Sequence, residues 1–295
     1  MKRILIIGKT GQVGWELQRT LAPLGQIIAL GRKQLDMTQG TELKKILREC
    51  RPDVIVNAAA YTAVDRAQSE SQLAMAINGE APGIIAEEAK LLNALLIHYS
   101  TDYVFDGSKS APYTENDSPN PLNVYGNTKL AGEMAIRDVG CHSLILRTSW
   151  VYGVRGANFL HTMLRLAKEK PQLRIVDDQI GAPTWSRLIA VATAQIIQKY
   201  WFFECAYSGI YHLTSQGQTT WFDFAAAIFA HLKQQPAWIK DRVFPELLPI
   251  PSTQYPCPAA RPPYSVLCNL KVQEQFNVYM PHWKDALDLC LDEMY

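Results

Sequence analysis

The stretch NPLNVYGNTKLAGEMA, residues 120 to 135, places Tyr125 and Lys129 four positions apart. On a helix that spacing stacks the two side chains one turn apart on one face, and the good helix formers after Lys129 favour a helix. A phenol titrates near about 10 and is a poor acid–base group at neutral pH, whereas a fixed positive charge beside it favours the phenolate and lowers that value. The pair reads as a candidate proton donor. The plainer reading is two surface residues at an accidental spacing.

A second set of residues is suited to phosphate. Gly8, Gly11 and Gly14, in ILIIGKTGQVGWEL, follow an apolar run and open a helix-compatible one. Glycines in that context allow a tight turn, close approach of backbone to a pyrophosphate and close helix–strand packing, while the helix N-terminus supplies N–H donors. Thr10, Gln12 and Val13 share the loop and are candidate cofactor contacts. After the second apolar run, Gly31, Arg32 and Lys33 stand where an NAD-preferring site carries a carboxylate. An arginine there suits a 2′-phosphate. NADPH is therefore expected as the preferred cofactor, with NADH as the alternative and solvated loop charges as the plainer reading. Asp36 is a candidate contact to the adenine.

Two further segments would face such a cofactor. Ala58, Ala59 and Ala60 are small enough for a flat ligand to lie against a strand end, and Ser100, Thr101 and Asp102 set polar side chains at the carboxyl edge of a sheet. Thr101 is the candidate to hold a substrate carbonyl. A capping or turn role for this Ser-Thr-Asp cluster is the competing reading.

Positioning these groups requires an alternating chain. Apolar β-type runs occur at residues 3–8, 26–30, 53–59, 94–100 and 143–149, separated by helix-compatible stretches at 12–24, 42–49 and 81–91. Near-continuous apolar strands separated by helices imply a parallel sheet covered on both faces, the doubly wound α/β Rossmann architecture. Beyond residue 150 the pattern loosens. Helices are expected at about 158–170, 186–200, 220–232 and 283–294, a strand at GIYHLT, and ordered irregular loops where prolines crowd between Pro236 and Pro263. The expected division is a dinucleotide-binding domain over 1–150 and a smaller, less regular α/β substrate lobe over 151–295, with a return to the sheet around 186–214.

Composition excludes several partners. Twenty-nine basic against 28 acidic residues leave a net charge of +1, without the electrostatic footprint of a nucleic-acid or anionic-membrane binder. Near the N-terminus the apolar run ILII is too short for a signal-peptide core, and no segment approaches a membrane span, so cytoplasmic residence is expected. Six cysteines without a CxxC and histidines without ligand spacing indicate neither a metal site nor a disulfide framework.

Taken in order, GKTGQVG, NAAAYTAVDRAQ, HYSTDYVFDG, YGNTK and LRTSWVYG resemble the extended short-chain dehydrogenase/reductase family, in its dTDP-4-dehydrorhamnose reductase branch. DDQIGAPT, GIYHLT and ARPPYSVL continue the resemblance through the rest of the chain. It implies a nucleotide-sugar substrate and a catalytic set at Thr101, Tyr125 and Lys129. In the reaction it implies, hydride passes from the nicotinamide to the C4 ketone of dTDP-4-dehydro-L-rhamnose, Tyr125 protonates the developing alkoxide, and Lys129 also holds the nicotinamide ribose. It further implies substrate contacts at Thr101, Asp102, Val104, Trp150 and Arg261, the last through its fork of donors. Some members of the branch dimerise through magnesium held by carboxylates, one early in the first helix and an acidic pair after GAPT. Here Glu16 matches the first position, but Trp185, Ser186 and Arg187 follow GAPT, so that metal is expected to be absent and the chain to be a monomer or a dimer not bridged by magnesium. The alternatives are another nucleotide-sugar reductase, epimerase or dehydratase, or a non-catalytic NADP-binding regulatory subunit like the methionine adenosyltransferase partner. A dehydratase would want a carboxylate pair after the hydroxyl residue, where Asp102 is followed by Tyr103.

Overall fold

The computed structural model describes residues 1–203, 207–235 and 244–294. The apolar runs form β1 (Arg3–Ile7), β2 (Gln26–Leu30), β3 (Val54–Asn57), β4 (Leu95–Thr101) and β5 (Ser143–Thr148). All are parallel and lie in the order β5, β4, β3, β1, β2, with the strand Gly209–His212 added beside β5. Every residue of β3, β4 and β5 is buried, as a sheet covered on both faces requires.

Helices connect the strands. They are α1 (Gln12–Thr20), α2 (Gly40–Cys50), the short α3 (Val64–Ala67) and α4 (Ser71–Met75), α5 (Ala81–Leu92), α6 (Val124–Val139), α7 (Phe159–Glu169), α8 (Ser186–Phe203) and α9 (Trp221–Leu232). Two further helices span Leu270–Phe276 and Trp283–Asp292. Because strand side chains alternate, Ile4, Ile6, Val54 and Leu146 pack on one face with Leu17 of α1 and Ile189 and Ile196 of α8. Leu5, Ile7, Ile55 and Ile145 pack on the other with Leu43 and Leu47 of α2 and Ile85 of α5. Burying each such side chain contributes about 1.5–3 kcal/mol.

The second half is built from smaller pieces. A cluster around Tyr152, Leu160, Phe224, Ile228 and Trp283 is separate from a smaller one around Val104, Phe105, Tyr113 and Val266. Two features depart from the sequence reading. Glu246–Ile250 forms a strand within the proline-dense stretch, pairing in parallel with Gln172–Val176. Pro249 is tolerated because this is a two-stranded sheet, where a missing N–H breaks no central ladder. Pro236, at the start of that stretch, lies outside the described residues. The helices between β3 and β4 also begin earlier than expected, and α4 runs through a π-helical turn, Ala76–Glu80, into α5.

Candidate active site

The carboxyl ends of β1, β3 and β4 and the start of α6 converge at one place. At β1 the chain turns through Gly8, whose φ of +91° is open to glycine and whose absent Cβ would lie 2.7 Å from the Ala59 nitrogen. A Cβ on Gly14 would fall 2.1 Å from the Gly8 carbonyl oxygen. The loop is therefore packed to the backbone, with Gly11 capping α1 and Thr10 and Gly11 exposed beside its free N–H groups. That is a cradle for a pyrophosphate, and the residues present fit a dinucleotide. Val13 leans on the core, and Gln12 turns away from the loop to the Val151 carbonyl and the Asn158 amide.

Around the end of β2, Gly31 is buried and Arg32 is exposed, so the guanidinium is available to a ligand phosphate. Asp36 accepts from the Thr38 N–H and hydroxyl at 2.9 and 2.8 Å, which holds its carboxyl below the usual range and closes a local turn. Its side chain is thus committed to Thr38. Ala58, Ala59 and Ala60 are partly exposed at the end of β3.

Three close packings place Tyr125. Asn123 caps α6 by accepting from the Gly126 N–H at 2.8 Å and donates to the Ala260 carbonyl at 2.7 Å, tying the helix start to the ARPPYS loop. A Cβ on Gly126 would stand 2.2 Å from the Tyr103 carbonyl oxygen, and one on Gly132 would stand 2.1 Å from that of Asn78 in the π-helical turn. The helix is thereby pressed against the turn that follows β4. Tyr125 meets the Tyr103 ring edge to face at 6.0 Å, beside Thr101, the last residue of β4.

The electrostatics correct one expectation. Burial pushes the Tyr125 phenol up to about 12, the Thr101 hydroxyl pulls the other way, and the Asp102 carboxyl adds to the rise. The phenol is raised, not lowered, because desolvation dominates and Lys129 turns its Nζ inward. Its Nζ donates to the Tyr99 carbonyl at 2.6 Å and lies 3.2 Å from His98 Nε2. The raised value keeps the phenol protonated at neutral pH but makes it the weaker acid. Asp102 is itself pushed up to about 7 by burial, against hydrogen bonds from Ser265 and Thr101.

The remaining candidates separate. Val104 is fully buried in the small cluster with Phe105 and Tyr113, so it is a core residue and does not line a substrate surface. In a run of mixed apolar and polar residues, nothing distinguished its side from that of Asp102. Trp150 is partly exposed, has φ of +44°, and stacks flat on Trp221 at 3.5 Å over Gly181, whose Cβ would fall 2.4 Å from the indole. Trp221 was not singled out from sequence, and no spacing signal linked it to residue 150. Arg261 gives Asp65 a two-pronged ion pair at 2.8 and 2.7 Å, leaving Nε and one Nη2 proton for any ligand. Sequence reasoning also missed the buried polar residues under the site: His98, Asn57 and Arg147, which read as parts of apolar runs, and Glu133, which read as one more helix residue.

The proposed magnesium position does not fit a cation. Arg187 Nε lies 3.1 Å from Glu16, and its Nη1 pairs with Glu293. Among the described residues no group of three or more His, Cys, Asp or Glu side chains is arranged to hold a metal ion. Among them also, no helix is long and apolar enough to cross a membrane.

Comparison with known proteins gives a consistent picture. The RmlD substrate binding domain family matches residues 1–295. The dTDP-4-dehydrorhamnose reductases of Burkholderia thailandensis and Escherichia coli K12 are 48% and 45% identical to the chain, over 99% of it and 99% and 98% of their own lengths. Among solved structures, the dTDP-4-dehydrorhamnose reductase of Bacillus anthracis in complex with NADP superposes with a TM-score of 0.89 at 34% identity, covering 99% of both chains. That of Clostridium acetobutylicum gives 0.88 at 35%, again over 99% of both.

Proposed function

The chain belongs to the dTDP-4-dehydrorhamnose reductase branch of the extended short-chain dehydrogenase/reductase family, and on that premise we propose how its residues carry the reaction. The activity is the NADPH-dependent reduction of the C4 ketone of dTDP-4-dehydro-L-rhamnose to dTDP-L-rhamnose. A bound nicotinamide supplies the hydride. Gly8, Thr10, Gly11 and Gly14 cradle the diphosphate, Arg32 meets the 2′-phosphate, and Ala58 to Ala60 floor the site. Tyr125 gives its proton to the alkoxide, and Thr101 holds the ketone oxygen beside it. The single observation that carries this assignment is the convergence of Tyr125 and Thr101 at the strand edge that the glycine loop also faces.

The same reading assigns residues 1–150 to dinucleotide binding and 151–295 chiefly to the sugar nucleotide, with Asp102, Trp150 and the free donors of Arg261 toward the substrate. It assigns no magnesium to the Glu16 position, where Arg187 already neutralises the carboxylate, and a monomer or a dimer without a metal bridge. The cytoplasm is the compartment that suits free thiols at Cys50, Cys141 and Cys290.

The test follows NADPH absorbance while the 4-keto sugar nucleotide is generated by the enzymes that precede it, for wild type and Tyr125→Phe. Turnover that falls by about 10²- to 10⁴-fold in the variant with NADPH binding retained supports the assignment. A wild type that binds NADPH but does not oxidise it with this substrate overturns the reductase reading.

A further inference from the structure

Beneath the strand ends, three buried polar side chains run from the sheet to α6. Asn57 ends β3, His98 is its register partner on β4, and Lys129 reaches in from the helix. Their exposures are 1%, 1% and 2%, so each polar atom must find its partner within the protein.

The hydrogen bonds can be followed atom by atom. Asn57 Oδ1 accepts from the Ala59 N–H at 3.2 Å, so its Nδ2 is the atom 3.1 Å from His98 Nδ1. Nδ1 must then offer its lone pair. Burial, and next the nearby Lys129, hold the imidazole well below its ordinary range, so it is neutral and carries its one proton on Nε2. That N–H lies 3.2 Å from Lys129 Nζ, which also donates to the Tyr99 carbonyl at 2.6 Å. An ammonium has no lone pair to accept with, whereas an amine has one.

We infer that Asn57 and His98 form a positioning device for Lys129, in which Asn57 fixes the imidazole tautomer and the Nε2–H donates to Nζ, favouring its neutral amine form. The other charged group acting on this nitrogen is Glu133, one turn further along α6, while Tyr125, one turn before it, meets Thr101 and Tyr103 instead. Glu133 favours the charged lysine, but its carboxylate is already held by Arg147 from β5 at 2.9 and 2.6 Å and by the Ser100 hydroxyl from β4. Burial outweighs it and brings Lys129 down to about 8, in keeping with the hydrogen-bond pattern. Lys129 thus sits where a proton can leave or return near neutral pH, with Nζ between the Tyr99 carbonyl and the His98 ring. This rests on the reductase reading only where turnover is measured.

The test begins with the wild-type protein. Imidazole ¹⁵N shifts should show His98 protonated at Nε2 alone, and a proton at Nδ1 would overturn the inference. Lys129 is then titrated through its ¹³Cε signal, identified by its loss in Lys129→Arg. His98→Leu removes the donor and should raise that titration by about one unit, tenfold in proton affinity. His98→Gln, whose amide N–H can replace the donor, should return it toward the wild-type value. The corresponding inflection in kcat against pH should move with it while KM changes less than about threefold. A His98→Leu protein that titrates like wild type, or a His98→Gln protein that titrates like His98→Leu, refutes the device. Should the leucine variant not fold, the tautomer and the glutamine variant decide. The spectroscopic readouts use no sugar nucleotide, so a wild type inactive on that substrate strikes the functional reading alone.

Discussion

Arg187, in the first turn of α8, lies 3.1 Å from Glu16 of α1, joining helices whose sequence positions differ by 171 residues. Glu16 is 4% exposed at its side chain, so the guanidinium is what makes its burial tolerable.

Arg187→Ala should therefore destabilise the fold by about 1–3 kcal/mol, since it strands a buried carboxylate. Urea unfolding measures this. Glu16→Gln in the same background should recover most of the loss, and a double variant no better than Arg187→Ala would show that the pair is not what matters. Turnover of the wild type should be indifferent to EDTA. An EDTA-sensitive wild type, restored by magnesium, would return the metal to this position.

Asp102 gives a pH dependence of stability. Its folded-state value of about 7 lies above that of an exposed carboxyl, so folding takes up a proton. The contribution to stability is complete below about pH 4 and is lost as pH rises through about 7. Asp102→Asn should thus leave melting near pH 4 almost unchanged and stabilise the protein at pH 8 by on the order of 1–2 kcal/mol. Parallel melting curves for the two proteins across that range would exclude a raised Asp102.

Arg32 tests cofactor choice. With its guanidinium exposed at the end of β2, Arg32→Ala should raise KM for NADPH about tenfold, near the loss of one charge-assisted hydrogen bond, and leave NADH untouched. Equal losses with both cofactors would assign the phosphate contact elsewhere.

The strands of the sheet were legible because parallel strands buried on both faces must be nearly all apolar, as in VIVN and SLIL. The Tyr125–Lys129 spacing likewise placed both residues on α6. What spacing could not supply was depth. His98 and Arg147 sit inside strands whose apolar neighbours conceal them, and Lys129 turns inward to His98 and the Tyr99 carbonyl. The direction of the Tyr125 shift failed for the same reason. The helices Ser71–Met75 and Leu270–Phe276 are too short for a 3.6-residue period to register.

The two faces of the sheet are completed at different moments of synthesis. The face bearing Leu5, Ile7, Ile55 and Ile145 is covered by α2 and α5, both of which precede β5 in the chain. The opposite face has only Leu17 and Leu21, from α1 and its end, over Ile6, Val56, Ile97 and Leu146 until Ile189, Ile196, Tyr211 and Phe276 leave the ribosome. At about 5–20 residues per second, the stretch of roughly 130 residues from β5 to Phe276 takes on the order of 7–26 seconds. A chain stopped at residue 185 is expected to bind a hydrophobic dye strongly where the full chain does not; equal binding would mean that the exposed face collapses on its own. The nascent protein is thus a sheet covered far more fully on one side than on the other, and is expected to need protection from aggregation throughout that interval.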